Sequence, residues 1–143
     1  MKTFAVKTSI RATPERIWAL LIDAGGYARW NNTVTKVDGT IAQGGRVTVH
    51  PKISTGRAFP VTVAEFEPPR RMVWTGGMPL GLFQGKRTFT LKPGLNGEVE
   101  FSMREEYTGL MAPLIGRSIP DLQPAFDEFA SDLKRAAETN QER

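Results

Sequence analysis

Near its C-terminus the chain places Leu122, Phe126, Phe129, Leu133 and Ala136 at steps of 4, 3, 4 and 3 residues. That spacing lines one side of an α-helix with apolar groups, and no strand can present it. Pro124 is tolerated only in a first turn. The helix is therefore expected to start from Asp121, a good capping residue, and to run to Glu138. At 1.5 Å per residue its length would be about 25 Å. The opposite side is acidic, so such a helix is stable only against something that covers its stripe.

The covering surface comes before it in the chain. From about residue 33 the pattern switches to period two. "TVTKVDG", "GRVTVHP", "FPVTVAEFE", "RMVWTG", "FQGKRTFTLK" and "EVEFSMREEYTG" are six short runs separated by the turn signals "AQGG", "STG", "PPR", "GGMPLG" and "PGLNG". Strands joined so closely form an antiparallel meander. In the last hairpin, Lys92 opposite Glu98 would pair Leu91 with Val99 and Phe89 with Phe101. By period two Arg87, Met103, Glu105 and Tyr107 share that apolar face.

At the other end of the chain, "TFAVKTSI" reads as a strand over about residues 2–10. "ATPERIWALLID" follows as a helix capped by Thr13 with Pro14 at its first position. Ile17, Leu20 and Leu21 give it an apolar stripe, widened by Trp18 and Ile22. Gly25-Gly26 stops it. In "GYARWNN" (residues 26–32) Tyr27 and Trp30 lie three apart, so one short helical turn would aim both rings at the core. "MAPLIGRS" reads as a separate helical turn, and residues 139–143 as a frayed tail.

The order is thus β-α-α-β-β-β-β-β-β-α. It predicts an α+β fold in which a curved seven-stranded antiparallel sheet grips one long C-terminal helix. The length of 143 residues fits a single domain over 1–143. A curved sheet around one helix should leave space between its inner face and the first half of that helix.

Composition narrows the chemistry. With no Cys and one His, the chain has no disulfides, thiol nucleophile, cysteine zinc site or histidine-rich metal site, and no cofactor is called for. The N-terminus lacks the apolar core of a signal peptide, and no segment is long enough to span a membrane, so the expected compartment is the cytoplasm. The net charge of +4 is uneven: residues 29–71 hold seven Lys/Arg against three Asp/Glu, residues 121–143 three against six. The basic residues are scattered without interleaved aromatics, which reads as solvated strand surface rather than a nucleic-acid interface.

The chain resembles the SRPBCC superfamily, also called START-like or Bet v 1-like, whose architecture is the helix-grip fold. It looks most like the polyketide cyclase/dehydrase and CoxG-type branch. The resemblance rests on "IRATPERIWALLID", the "YARWNN" corner, "EFEPPRRMVW", "FQGKRTFTL" and "EEYTGL", in that order over nearly the whole chain. None of these is a catalytic signature. The resemblance implies a hydrophobic cavity for a lipid, sterol, polyketide or aromatic metabolite, with some members catalysing cyclisation or dehydration and many binding or carrying.

The expected pocket wall comprises Trp30, Val49, Val61, Trp74, Arg87, Phe89, Met103, Glu105, Ile115, Leu122 and Phe126. Trp30 reads first as a structural anchor and second as an aromatic wall at the pocket mouth. Arg87 and Glu105 either pair inside the cavity, as a polar handle for a ligand carbonyl or phenol, or are rotated to solvent by a bulge. His50 is expected outside, since Val47 and Val49 face in. The stretch at residues 76–85 reads as a long apolar loop, a lid over an entrance or a loop tucked onto the core. Leu110, Met111, Leu114 and Ile115 border the cavity only by analogy with the family.

Three functions compete. The first is binding or transport of a small hydrophobic ligand, oriented by Arg87 and Glu105. The second is a cyclase, aromatase or dehydratase using Arg87, Glu105, Tyr107 or His50 for proton transfer. The third is a cochaperone or assembly module with a filled interior and an apolar patch near residues 78–83. The partner expected is a small hydrophobic ligand, not nucleic acid, with a homodimer left open.

Overall fold

The structure, a computed structural model, describes residues 2–54 and 56–139. Its strands are β1 (Lys2–Ile10), β2 (Val34–Gly39), β3 (Arg46–Pro51), β4 (Phe59–Glu67), β5 (Arg71–Met78), β6 (Phe83–Pro93) and β7 (Val99–Thr108). Its helices are α1 (Pro14–Ile22), α2 (Tyr27–Trp30), α3 (Ala112–Ile115) and α4 (Gln123–Thr139). The seven strands form one antiparallel sheet in the order β1-β7-β6-β5-β4-β3-β2. β1 closes against the last strand, so the sheet curls around α4 as the element order predicts.

The helix termini follow their chemistry. Thr13 accepts from the Arg16 N–H and caps α1, with Pro14 in the first turn. α4 starts two residues after Asp121 rather than directly on it. The Asp121 carboxylate still accepts the Gln123 N–H at 3.0 Å, and Pro124 sits in the first turn. Thr139 ends the helix and is not part of a tail, while residues 140–143 lie outside the described residues.

α4 lies along β1. Gln123 Nε2 donates to Ala5 O and Lys134 Nζ to Ser9 O. Arg16 of α1 donates to the carbonyls of Ala136 and Ala137, a cation placed against the negative end of α4.

Two expectations need correction. In the last hairpin Lys92 faces Glu100, Leu91 faces Phe101 and Phe89 faces Met103, two residues away from the pairing set by Lys92 and Glu98. The turn decides this. Gly94 N–H donates to Glu98 O at 2.8 Å, and Leu95–Gly97 forms a 3-10 turn with Asn96 at φ 57°. β7 therefore starts at Val99, opposite Pro93. An even shift keeps every side chain on its face.

The stretch 76–85 is not a long loop. β5 continues to Met78, which pairs with Phe83, and only four residues cross between the strands. Leu80 sits at φ 63° within this tight connection.

The core fills the concave face. Phe129 of α4 stacks on Phe101 at 6.1 Å and lies 6.2 Å from Phe89 and 5.7 Å from Trp30. Tyr27 reaches in from α2, 5.0 Å from Trp30 and 6.2 Å from Phe129, with its hydroxyl donating to Leu21 O. Burial pushes its phenol well above the ordinary tyrosine value, so it stays a neutral donor.

One buried carboxylate stands among these apolar groups. Asp132 of α4 is fully buried and accepts the Asn32 N–H at 2.7 Å, fastening the α2–β2 corner to the helix. Its other oxygen accepts from Arg135 at 3.1 Å. Glu128, one turn earlier, hydrogen-bonds the same carboxylate, which raises the Glu128 carboxyl above its ordinary range. A raised acid is held protonated more tightly in the folded state, so its stabilising share is present at low pH and is lost as pH rises through the raised value. Glu128→Gln is therefore expected to raise the melting temperature at neutral pH. The gain should vanish below the ordinary glutamate range. Parallel wild-type and variant curves of melting temperature against pH would contradict it.

Candidate functional site

The inner face of the sheet can be read rung by rung. Val63, Trp74, Arg87, Glu105 and Phe4 lie directly opposite one another across β4, β5, β6, β7 and β1. Arg87 and Glu105 are thus direct cross-strand partners, and Glu105 is three residues inside the end of β7. No bulge rotates them outward.

Arg87 Nε donates to Glu105 Oε1 at 2.5 Å, and Tyr107 Oη donates to Glu105 Oε2 at 2.5 Å. The Arg87 guanidinium lies 4.9 Å above the Phe126 ring of α4, a cation–π contact. Both charged side chains are half-buried, at 23% and 14% exposure. Burial first, and then the Glu105 charge, push the Tyr107 phenol above the ordinary tyrosine value, so it too is a neutral donor.

Gly85 explains how Tyr107 reaches Glu105. It faces Tyr107 across the β6–β7 pair, and a Cβ there would meet the ring at 3.2 Å. The missing side chain lets the ring lie close over β6, stacked on Phe83 at 5.7 Å.

The predicted wall residues divide into two layers. Trp74, Phe89, Met103 and Phe126 are buried and form a packed floor. Trp30, Val49, Val61, Arg87, Glu105 and Leu122 are half-buried above them. Trp30, Val49, Val61 and Leu122 pack against the core, whereas Ile115 is half-buried without joining it. Trp30 does act as an anchor, against Tyr27 and Phe129.

Two polar atoms in this region have no partner. Trp30 Nε1 and Trp74 Nε1 are buried donors without an acceptor among the described residues. Trp74 is the direct neighbour of Arg87 on β5.

Other candidates fall away. His50 is half-buried, and its ring lies 3.3 Å from the Asp38 carboxylate. Among the described residues no group of three or more His, Cys, Asp or Glu is arranged to hold a metal ion. Two surface hollows stand out among the described residues, and neither is the space expected between the sheet's inner face and the first half of α4, where Phe126 and Phe129 pack into the core. One is polar, around Arg11, Thr13, Asn96 and Glu98. The other, of about 320 Å³, lies beside the β5–β6 tip around Met78, Leu80, Phe83 and Thr108.

A family model described as polyketide cyclase / dehydrase and lipid transport matches residues 1–138. The chain belongs to this family. Among curated proteins none matches it.

Solved structures give the same fold at low identity. Protein jhp0584 from Helicobacter pylori is 13% identical with a TM-score of 0.78, over 96% of this chain and 88% of that one. MLL2253 from Mesorhizobium loti is 22% identical with a TM-score of 0.75, over 97% and 98%. DynU16, a protein of the dynemicin biosynthetic locus, is 19% identical with a TM-score of 0.72, and 99% of this chain spans 49% of it. These likenesses support the helix-grip-like architecture. The polyketide cyclase/dehydrase resemblance and the curved seven-stranded sheet around α4 both hold. No helix among the described residues is long and apolar enough to cross a membrane.

Proposed function

We propose that this polyketide cyclase/dehydrase family member binds a small, mostly apolar ligand against Arg87, among the half-buried side chains on the inner face of the sheet. The observation that carries this reading is the inward-facing Arg87, held by Glu105 and stacked on Phe126 above an aromatic floor. Only its Nε is used by Glu105, which leaves its terminal nitrogens for a ligand. The unpartnered indole N–H groups of Trp30 and Trp74 add donors without an acceptor. Buried donors of that kind are costly to leave unmatched. The ligand this favours has an apolar ring or chain and at least one acceptor oxygen, such as a carbonyl, carboxylate or phenolate. Trp30, Val49, Val61, Leu122 and the floor would supply contact area, and Arg87 orientation.

A cyclase or dehydratase is the second reading, supported by the Tyr107–Glu105 hydrogen bond beside Arg87. Glu105→Gln would abolish turnover there but leave ligand binding intact. The packed floor and the exposed Met78 and Leu80 are features expected of an interaction module. The half-buried polar cluster is not.

The test uses anilinonaphthalene sulfonate, an aromatic probe carrying an anionic oxygen group. Wild type should bind it with enhanced fluorescence, and Arg87→Leu should weaken binding by roughly ten-fold. Equal binding by both would overturn the anchor. Native mass spectrometry of protein from its own host should show a co-purifying apolar metabolite lost in the same variant.

A further inference from the structure

Seven large apolar side chains are exposed among the described residues: Ile53, Phe59, Met78, Leu80, Leu95, Leu110 and Leu114. All but Leu95 belong to three stretches at one end of the sheet: residues 51–54 with 56–59, 78–83 and 109–118. The sheet brings these segments side by side: across β4 and β5 a Cβ on Gly76 would meet Pro60 O at 2.8 Å, Met78 pairs with Phe83, and Gln84 pairs with Thr108. Leu110 N–H donates to Gly81 O at 3.1 Å and Met111 N–H to Leu82 O at 2.7 Å. These bonds tie together the two tips that carry Leu80, 92% exposed, and Leu110, 82% exposed. Gly109, at φ 116°, permits the close approach, since a Cβ there would meet Leu82 O at 2.6 Å.

The charge carried by these three segments has one sign, with the exposed Asp121 just beyond the third. Segments 51–59, 78–83 and 109–118 carry Lys52, Arg57 and Arg117 and no Asp or Glu. All three cations are exposed, and none has an ion-pair partner among the described residues. The opposite end is laced with ion pairs, including Arg11–Glu98, Arg71–Glu65 and Lys134–Glu138.

We infer that this end of the molecule docks on an anionic lipid bilayer. Leu80, Leu110, Leu114, Met78 and Phe59 enter the boundary between headgroups and acyl chains, and Lys52, Arg57 and Arg117 meet the phosphates. Exposed apolar groups that share their segments with unpaired cations match a surface that is apolar inside and negative outside. A second copy docking symmetrically through the same surface would bring like charges together. The inference stands apart from which ligand the concave face takes.

The full chain would be sedimented with phosphatidylcholine vesicles, with and without roughly one-third phosphatidylglycerol. It should follow the anionic vesicles, less so as salt rises. Leu80→Asp with Leu110→Asp, and separately Lys52→Glu with Arg57→Glu and Arg117→Glu, should each weaken vesicle binding about ten-fold or more. Their thermal unfolding should stay at the wild-type temperature, because the altered side chains are exposed. Arg87→Leu should bind vesicles normally, which separates this surface from the ligand anchor. Wild type that does not sediment, equal binding to neutral and anionic vesicles, or undiminished binding by either multiple variant would overturn the inference. A concentration-dependent dimer abolished by the two leucine changes, in place of vesicle binding, would assign the surface to a second copy and overturn it as well.

Discussion

Phe129→Ala is expected to lower the unfolding free energy by about 3–5 kcal/mol, the usual range for deleting a buried aromatic ring. For a domain of this size that is a fall of roughly 10–20 °C in melting temperature. The ring meets four others: Tyr27 from α2, Trp30 at the end of α2, Phe89 on β6 and Phe101 on β7. It is the place where helix, sheet and N-terminal corner converge. Its neighbours belong to separate elements, each held by its own backbone bonds, so they cannot collapse together into the vacated volume. Phe129→Leu should recover about half of the loss, since it restores much of the volume without the ring contacts. Urea midpoints with unchanged slopes would measure both variants. A loss below about 1 kcal/mol for alanine would mean that the convergence is not what stabilises the grip.

Much of this architecture is legible in the local sequence, for a physical reason. Leu122, Phe126, Phe129 and Leu133 repeat at the helical period because each must meet the sheet, and the strand runs alternate because one face must meet the helix. Packing imposes those periods on local sequence, so they are visible there. Parity likewise put Arg87 and Glu105 on one inner face.

What was hidden depends on partners far away in sequence. The register of β6 and β7 follows from a left-handed Asn96, which local composition permits but does not demand. Asp132 reads as part of an acidic helix face, yet it is fully buried. Its burial is decided by the Asn32 N–H, one hundred residues away. The tight β5–β6 tip was hidden too: its glycines suggest a loop, but Gly76, Gly77 and Gly85 remain in paired strands. The two-layered wall was not legible either, because period two tells which face a side chain takes and not how deeply it is covered.

The Arg87–Glu105 pair gives the second large effect. Arg87→Leu and Glu105→Leu are each expected to cost about 2–3 kcal/mol, since each strands an unpaired charge in a half-buried site. The cost is smaller than for a fully buried pair because both side chains keep some solvent contact. Glu105→Leu also orphans the Tyr107 hydroxyl, so it should be the worse of the two. The double variant should be clearly less destabilised than the sum of the singles, with a coupling of about 1–3 kcal/mol by denaturant melts. Strictly additive losses would mean that the two side chains do not act as a pair. A pair that leucines can replace at modest loss is not retained for stability alone. The double variant should therefore fold and still fail to bind anilinonaphthalene sulfonate as wild type does, because the guanidinium over Phe126 is gone. If it binds the probe as tightly as wild type, the pair is a structural tie, and the ligand reading loses its anchor.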